Sequence, residues 1–235
     1  MHKIQVAASV LSADFSCLRE ELAKCEAAGV DQIHLDIMDG HFVPNISFGP
    51  VLIKSIRKYA KLPMDCHLMI ENPEWYIKDF IQAGVDIIQV HAECFGKLKP
   101  ACQGLGKWPK EIESLDEAKL LPVLKQVKGA GKKFGITFNL GSVVNISPGL
   151  LKELDEVLFM SVNPGFSGQV FNAEVLNKVR ELRKTYAGDI RIDGGVNDKT
   201  APEAVKAGVN ILVTASYFFS APDPKKAVEI LKNSR

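Results

Sequence analysis

Neither sign of charge is in excess in this chain: 29 Lys and Arg face 28 Asp and Glu, a formal net charge of +1. That balance excludes a basic footprint for nucleic acid or for an anionic membrane surface. Any phosphate recognition therefore has to be local. Cysteine is scarce, with five residues (Cys17, Cys25, Cys66, Cys94 and Cys102) and no CxxC pair. A zinc ribbon or thioredoxin-like motif is thereby disfavoured, and scattered thiols in odd number suit reduced cysteines in a cytosolic protein. No apolar run approaches the roughly 20 residues needed to span a bilayer. Met1 to Ser9 lacks the charged-then-apolar pattern of a signal peptide. A GxGxxG after the first apolar run is missing, which weighs against a dinucleotide-binding fold. Interdomain linkers and low-complexity stretches are also lacking. The expectation is a cytoplasmic protein with no nucleic-acid or membrane partner.

What is present is ordinary globular composition, 46% hydrophobic and 24% charged over 235 residues. That length is large for one small domain, short for two, and close to the roughly 250 residues of a (β/α)8 barrel. A repeat then appears. Ala28-Gly29-Val30-Asp31, Ala83-Gly84-Val85-Asp86 and Ala207-Gly208-Val209-Asn210 each precede a short run rich in Ile and Val. A helix closed by Gly and followed by a buried strand is the mark of a parallel βα unit. Eight such strand-length runs lie near 4–10, 31–38, 63–69, 85–92, 133–139, 156–162, 189–193 and 210–216. Amphipathic stretches of helical period separate most of them, as in Phe15 to Ala27 and Ala173 to Tyr186. The pattern predicts an α/β fold, a single-domain (β/α)8 TIM barrel over residues 1–235. One connection is too long for a crossover helix alone. A helix from Ser114 to Lys128, with Ser114 as N-cap and Glu117 completing a capping box, leaves residues 94–113 as an insertion after the fourth strand. In a barrel that is the catalytic end, so the insertion is expected over or beside the site.

Polar residues crowd the C-terminal ends of the apolar runs. Alternation puts His34, Asp36 and Met38 on one face of the second strand, and Asp65, His67 and Met69 on one face of the third. The seventh ends Arg191-Ile192-Asp193-Gly194-Gly195. A single strand histidine is more often structural than a ligand, and Asp-Gly alone is a turn signal. Together, however, two His and two Asp from three strands are costly inside a barrel unless they pair or share a cation. Asn163-Pro164-Gly165-Phe166-Ser167-Gly168-Gln169 follows the sixth strand, and its glycines suit anion binding or closure over a substrate. Gly194-Gly195 and Ala215-Ser216 end the seventh and eighth strands, where many barrels hold phosphate.

The segments SVLSADF (9–15), HLDIMDGHFVPNISFGP (34–50), HLMIENP (67–73), VHAE (90–93), MSVNPGFSGQVF (160–171) and IDGGVN (192–197) resemble the ribulose-phosphate 3-epimerase family in order along nearly the whole chain. The resemblance implies a metal-dependent isomerase acting on a ketose phosphate. The conversion it implies is of D-ribulose 5-phosphate to D-xylulose 5-phosphate, a step of the pentose phosphate pathway. His34, Asp36, His67 and Asp193 match the ligands of one divalent cation, for which Zn, Fe(II), Mn and Co all suit the donor set. Asp36 and Asp193 match the acid/base pair, which moves a proton off one face of C3 and onto the other around a metal-stabilised enediolate. Ser9 and His67 match substrate-contacting residues. Met38, Met69 and Met160 match the methionines beside the reacting carbons. Gly165, Phe166, Ser167, Gly168, Gly194, Gly195, Ala215 and Ser216 match the substrate and phosphate contacts. A homo-oligomer is implied as well.

This sequence departs from the family pattern in four places. Ala8 replaces a Pro before Ser9, and Asn139-Leu140-Gly141-Ser142 stands for Asn-Pro-Gly-Thr. Ser167 replaces a loop Gly, and Ala215 replaces the Gly of a Gly-Ser pair. A methyl at 215 is tolerated if its φ is negative, so phosphate binding is expected to survive near Gly194, Gly195, Ala215 and Ser216. The alternatives are a 3-epimerase of D-allulose 6-phosphate, a hexulose phosphate, and a non-catalytic sugar-phosphate-binding protein. Binding alone does not require two opposed carboxylates.

Overall fold

The structure, a computed structural model, describes residues 2–234. In chain order it runs β1 (Gln5–Ser9), α1 (Leu18–Ala27), β2 (Gln32–Met38), α2 (Pro50–Arg57), β3 (Met64–Met69), α3 (Ile77–Ala83) and β4 (Ile87–His91). A hairpin of β5 (Gly96–Leu98) and β6 (Ile112–Leu115) follows. Then come α4 (Glu117–Gly129), β7 (Lys133–Phe138), α5 (Pro148–Glu153), β8 (Glu156–Met160), α6 (Val175–Arg183), β9 (Asp189–Asp193), α7 (Ala201–Ala207), β10 (Ile211–Thr214), α8 (Ser216–Phe219) and α9 (Pro224–Lys232). Eight parallel strands close in the order β1-β10-β9-β8-β7-β4-β3-β2, a TIM barrel. All eight predicted strands are present. The helix expected from Phe15 begins as a 3-10 turn, Phe15–Cys17, held by the Asp14 carboxylate on Ser16 N–H, and turns α-helical only at Leu18. The helix expected over Ala173 to Tyr186 is shorter, Val175–Arg183.

The Ala-Gly-Val-Asp repeat has a physical reason. Its glycines take positive φ (Gly29 80°, Gly84 94°, Gly208 116°), closing the helix without a Cβ penalty. Its valines, Val30, Val85 and Val209, are buried plugs. Its last residue holds the strand before it: Asp31 Oδ2 accepts from Val6 N, Asp86 Oδ2 from Met64 N, and Asn210 Oδ1 from Ile190 N, at 2.9, 2.9 and 2.8 Å. Asp155 does the same for Phe134 N at 2.8 Å, a fourth instance without the glycine. One short motif thus stops a helix, fills the core and fixes the height of neighbouring strands.

Outward residues of the strands, such as Leu35, Leu68, Val90, Phe138, Phe159 and Ile192, join the helices in the main core. The inside is divided. Ala7, Leu158, Met160, Val162, Ile211 and Val213 form one apolar side, while buried Asp65, Gln89, Glu156 and Arg191 form a hydrogen-bonded polar floor. Arg191 donates to Glu156 at 3.1 Å and to Asp65 at 2.6 Å, so this buried charge is paired as burial requires.

The expected helix start at Ser114 is corrected. Ser114 lies in β6, opposite Lys97 of β5. The N-cap is Asp116, whose Oδ1 accepts from Ala118 N at 3.2 Å. Glu117 closes no capping box, because its carboxylate takes Ser147 N and Oγ at 2.6 and 2.7 Å. Strand pairing claims the backbone around Ser114, so the helix begins two residues later on an equally good cap. The 94–113 segment stands beside the barrel mouth. Trp108 Nε1 donates to His41 O at 3.0 Å and Lys99 Nζ to Gly141 O at 2.6 Å. None of its residues lines the central cavity. Among the described residues no helix is long and apolar enough to cross a membrane.

Candidate active site

Parallel register stacks the functional side chains in tiers. His34 is level with Asp65, Asp36 with His67, and Met38 with Met69 on β2 and β3, while Asp193 of β9 is level with Met160 of β8. His34, Asp36, His67 and Asp193 thereby meet, each offering a ligand atom within 4.8 Å of the others. His34 Nε2 lies 3.2 Å from Asp36 Oδ1 and 3.7 Å from Asp193 Oδ2, and His67 Nδ1 lies 3.2 and 3.8 Å from the same two oxygens. Donors about 2.1 Å from one ion at 90–110° are roughly 3.0–3.4 Å apart, so the two separations to Asp36 fit a shared cation, while Asp193, at 3.7 and 3.8 Å, stands a few tenths of an ångström wide of it. His34 Nε2 is fully buried and, despite the short separation from Asp36, makes no hydrogen bond. A nitrogen so placed, aimed between two carboxylates, is what a metal ligand requires.

The other edge of each side chain is held. Ser9 Oγ donates to Asp36 Oδ2 at 2.5 Å, leaving Oδ1 for the cluster. His34 Nδ1 contacts Asp65 Oδ1 at 2.5 Å, and Asp65 Oδ2 accepts from Arg191. His67 Nε2 contacts His91 Nε2 at 2.8 Å, and His91 Nδ1 contacts Glu93 Oε2 at 2.9 Å.

The electrostatics of the four are unequal. Burial disfavours the Asp36 carboxylate, yet the positive charge of the facing His34 overcomes that and holds it well below the usual carboxylate range. Burial and the neighbouring Asp36 charge push Asp193 up to about 7. His34 would be depressed by burial, but Asp65 and Asp36 raise it well above the ordinary imidazole value. Burial dominates at His67 and brings it down to about 4.

Above the cluster opens a cavity of about 440 Å³. Ser9, Met38, Met69, Met160, Asp36 and Asp193 lie at its base. The loop Gly165, Phe166, Ser167, Gly168 and the turns Gly194-Gly195 and Ala215-Ser216 form its wall and rim. His34 and His67 sit fully buried outside the lining. All the residues singled out from sequence are therefore brought together. Gly195 is required: at φ +61° its Cβ would stand 2.7 Å from Phe171 N and 2.8 Å from Gln169 O. Ala215 has φ −121°, which accommodates its methyl. Asn45 Nδ2 donates to Gly165 O at 2.6 Å, tying the loop after β2 to the glycine-rich loop.

Sequence reasoning passed over Leu11, Val162, Asn197 and Tyr217 as lining residues, and it gave no role to Asp65, Arg191, His91 or Glu93. The signal for Asp65 was its place two residues before His67 on the same strand face. For His91 and Glu93 it was the VHAE segment at the end of the fourth strand.

A model of the ribulose-phosphate 3 epimerase family matches residues 5–105 and 111–219. A ribulose-phosphate 3-epimerase of Bacillus subtilis is 40% identical over 99% of this chain and 100% of its own. One from Methanocaldococcus jannaschii is 39% identical over 98% and 91%, and a chloroplastic ribulose-5-phosphate-3-epimerase of Arabidopsis thaliana 38% over 99% and 77%. Among solved structures, 3-hexulose-6-phosphate synthase from Salmonella typhimurium superimposes with a TM-score of 0.62 at 15% identity, covering 98% of each chain. N-(5'-phosphoribosyl)anthranilate isomerase from Pyrococcus furiosus gives 0.58 at 16%, also over 98% of each. At such identities these two attest the barrel alone. The end-to-end relatives and the matched family go further: the chain belongs to the ribulose-phosphate 3-epimerase family of TIM-barrel enzymes.

Proposed function

We propose that this protein epimerises C3 of a ketose phosphate, D-ribulose 5-phosphate to D-xylulose 5-phosphate, by proton transfer between two carboxylates. The observation that carries the reading is the meeting of Asp36 and Asp193 at the base of one cavity from non-adjacent strands, β2 and β9. Epimerisation next to a ketone needs one ionised carboxylate to take the C3 proton and one protonated carboxyl to return a proton to the opposite face. An Asp36 held ionised beside an Asp193 near neutrality supports that division. The two exchange protonation states in each turnover, which makes the reaction reversible.

His34, Asp36, His67 and Asp193 would hold one divalent cation, with Zn, Fe(II), Mn and Co all compatible with their N and O donors. A bound cation supplies positive charge that lowers the cost of the negative charge building on the substrate oxygens as C3 loses its proton. Met38, Met69 and Met160 cover the planar carbon skeleton with polarizable, proton-free surface. Among the described residues no Lys or Arg lines the cavity. A phosphate dianion is therefore met by backbone N–H groups and hydroxyls around Gly194, Gly195, Ala215 and Ser216.

The test is incubation with D-ribulose 5-phosphate in D2O. Deuterium should enter at C3 as D-xylulose 5-phosphate forms, and a hexulose phosphate and unphosphorylated ribulose should react more slowly. Absence of exchange at C3 would refute catalysis and leave a sugar-phosphate binder. Equal kcat/KM with and without the phosphate would refute the phosphate site.

A further inference from the structure

His34 and His67 face the ligand cluster through opposite ring nitrogens, Nε2 and Nδ1. A neutral imidazole offers one lone pair, so each ring has to be the right tautomer. For His67 the outer nitrogen does not decide this alone, because its partner at 2.8 Å is another imidazole nitrogen, His91 Nε2. One of the two must donate and the other accept. The far end of His91 resolves the choice. Its Nδ1 lies 2.9 Å from Glu93 Oε2, and a carboxylate can only accept. His91 therefore carries its proton on Nδ1 and presents a lone pair at Nε2. His67 must then donate from Nε2, which leaves its Nδ1 lone pair facing Asp36 and Asp193.

Glu93 is itself fixed as an acceptor. Its Oε1 accepts from Asn139 N at 2.9 Å and from the Ser142 hydroxyl. Ser142 Oγ in turn accepts from Ile112 N of β6 at 3.1 Å, so its own proton is directed to Glu93. His67, His91, Glu93, Asn139 and Ser142 are all buried, and the Phe42 ring covers His91 at 4.6 Å between centroids. Water has no ready entry to change the donor order.

We propose that Glu93 and His91 are positioning residues that lock His67 as its Nε2–H tautomer and so turn its Nδ1 lone pair into the ligand cluster, with the β5–β6 hairpin holding Glu93 through Ser142. The use of that lone pair rests on the cluster being a cation site, whereas the tautomer does not.

The experiment assigns histidine tautomers in the metal-free protein by two-bond 1H–15N correlation and measures Zn2+ affinity by chelator competition. Wild type should show His91 protonated at Nδ1 and His67 at Nε2. In Glu93→Gln the side-chain oxygen stays with Asn139 N, the amide NH2 turns to His91 Nδ1, and both tautomers should invert. Zn2+ affinity should then fall about 10–100-fold, as for other groups that orient metal-bound histidines. Ser142→Ala should shift affinity in the same direction by less. His67 protonated at Nδ1 in wild type would overturn the proposal, whether or not the variants fold. So would a folded Glu93→Gln with wild-type tautomers and affinity. Wild-type tautomers as stated, with no Zn2+ bound by the wild-type protein, would overturn the cation reading and its use of the lone pair.

Discussion

Asp65 joins a buried cation to a buried imidazole: one carboxylate oxygen accepts from Arg191 Nη2 at 2.6 Å and the other meets His34 Nδ1 at 2.5 Å. The pairing sets the direction of His34. With its Nδ1 proton given to Asp65, the ring keeps Nε2 as the nitrogen that gives up its proton and offers a lone pair when a cation binds, and the carboxylate makes that nitrogen a better donor. Asp65→Asn should therefore weaken divalent-cation binding about 10–100-fold. Arg191→Met should act mainly on stability. It leaves Asp65 and Glu156 buried without their shared cation, and removing one partner of such a group costs about 3–5 kcal/mol. Chelator competition checks the first, and urea unfolding of the metal-free Arg191→Met protein checks the second. An Arg191→Met protein as stable as wild type would show that the polar floor is not held by this charge.

Asp36→Asn and Asp193→Asn should each lower turnover by at least about 10²-fold, the low end for general acid–base catalysis. Both residues also belong to the ligand cluster, so bound metal has to be quantified in the same samples. Loss of turnover at full metal occupancy identifies the proton-transfer role. Near-normal turnover in either variant removes that residue from the reaction.

Gly195→Ala should damage the cavity wall rather than the cluster. The added methyl meets backbone atoms of Phe171 and Gln169, which cannot swing aside as a side-chain end can, and φ is +61°. About 1–3 kcal/mol of strain is expected, together with a raised KM for the phosphorylated substrate. Ala215→Gly, at a φ of −121°, should by contrast leave KM nearly unchanged. Steady-state kinetics on the pair separates the two positions.

Most of the barrel and of the site could be read from the chain because each rests on local pattern. Helix stop, valine plug and strand-holding Asp or Asn fall within four consecutive residues, Ala83 to Asp86 for instance, so the βα unit repeats visibly. The ligand cluster was legible for a similar reason: alternation alone puts His34 with Asp36, and parallel register does the rest. What stayed hidden depends on distant pairing. Arg191 reaches Asp65 across 126 positions and Ser142 reaches Glu93 across 49, and only barrel closure and the docking of the β5–β6 hairpin bring them together. The start of α4 was misplaced for a related reason. Ser114 and Asp116 are both good caps, and the choice between them is made by a strand partner at Lys97.

Cation binding should depend on pH in a way set by Asp193. Ligands must give up their protons to the metal, so a group protonated in the metal-free protein competes with it. Burial and the Asp36 charge hold the Asp193 carboxyl at about 7 in that state, and His34 lies well above its ordinary value. Above about pH 7 binding displaces a proton from His34 only. Below it, binding displaces one from Asp193 as well. Apparent affinity should therefore rise with pH throughout, and more steeply below about 7, by roughly another factor of ten per pH unit for the second proton. Chelation should abolish activity most readily on the acid side, and added Zn2+, Mn2+ or Co2+ should restore it. Asp193→Asn, which has no carboxyl proton to lose, should bind more weakly but without the change of slope near 7. Calorimetric titrations in buffers of different ionisation enthalpy count the released protons directly. A wild-type proton release that does not change between about pH 6 and 8 would show that Asp193 is already ionised in the metal-free protein.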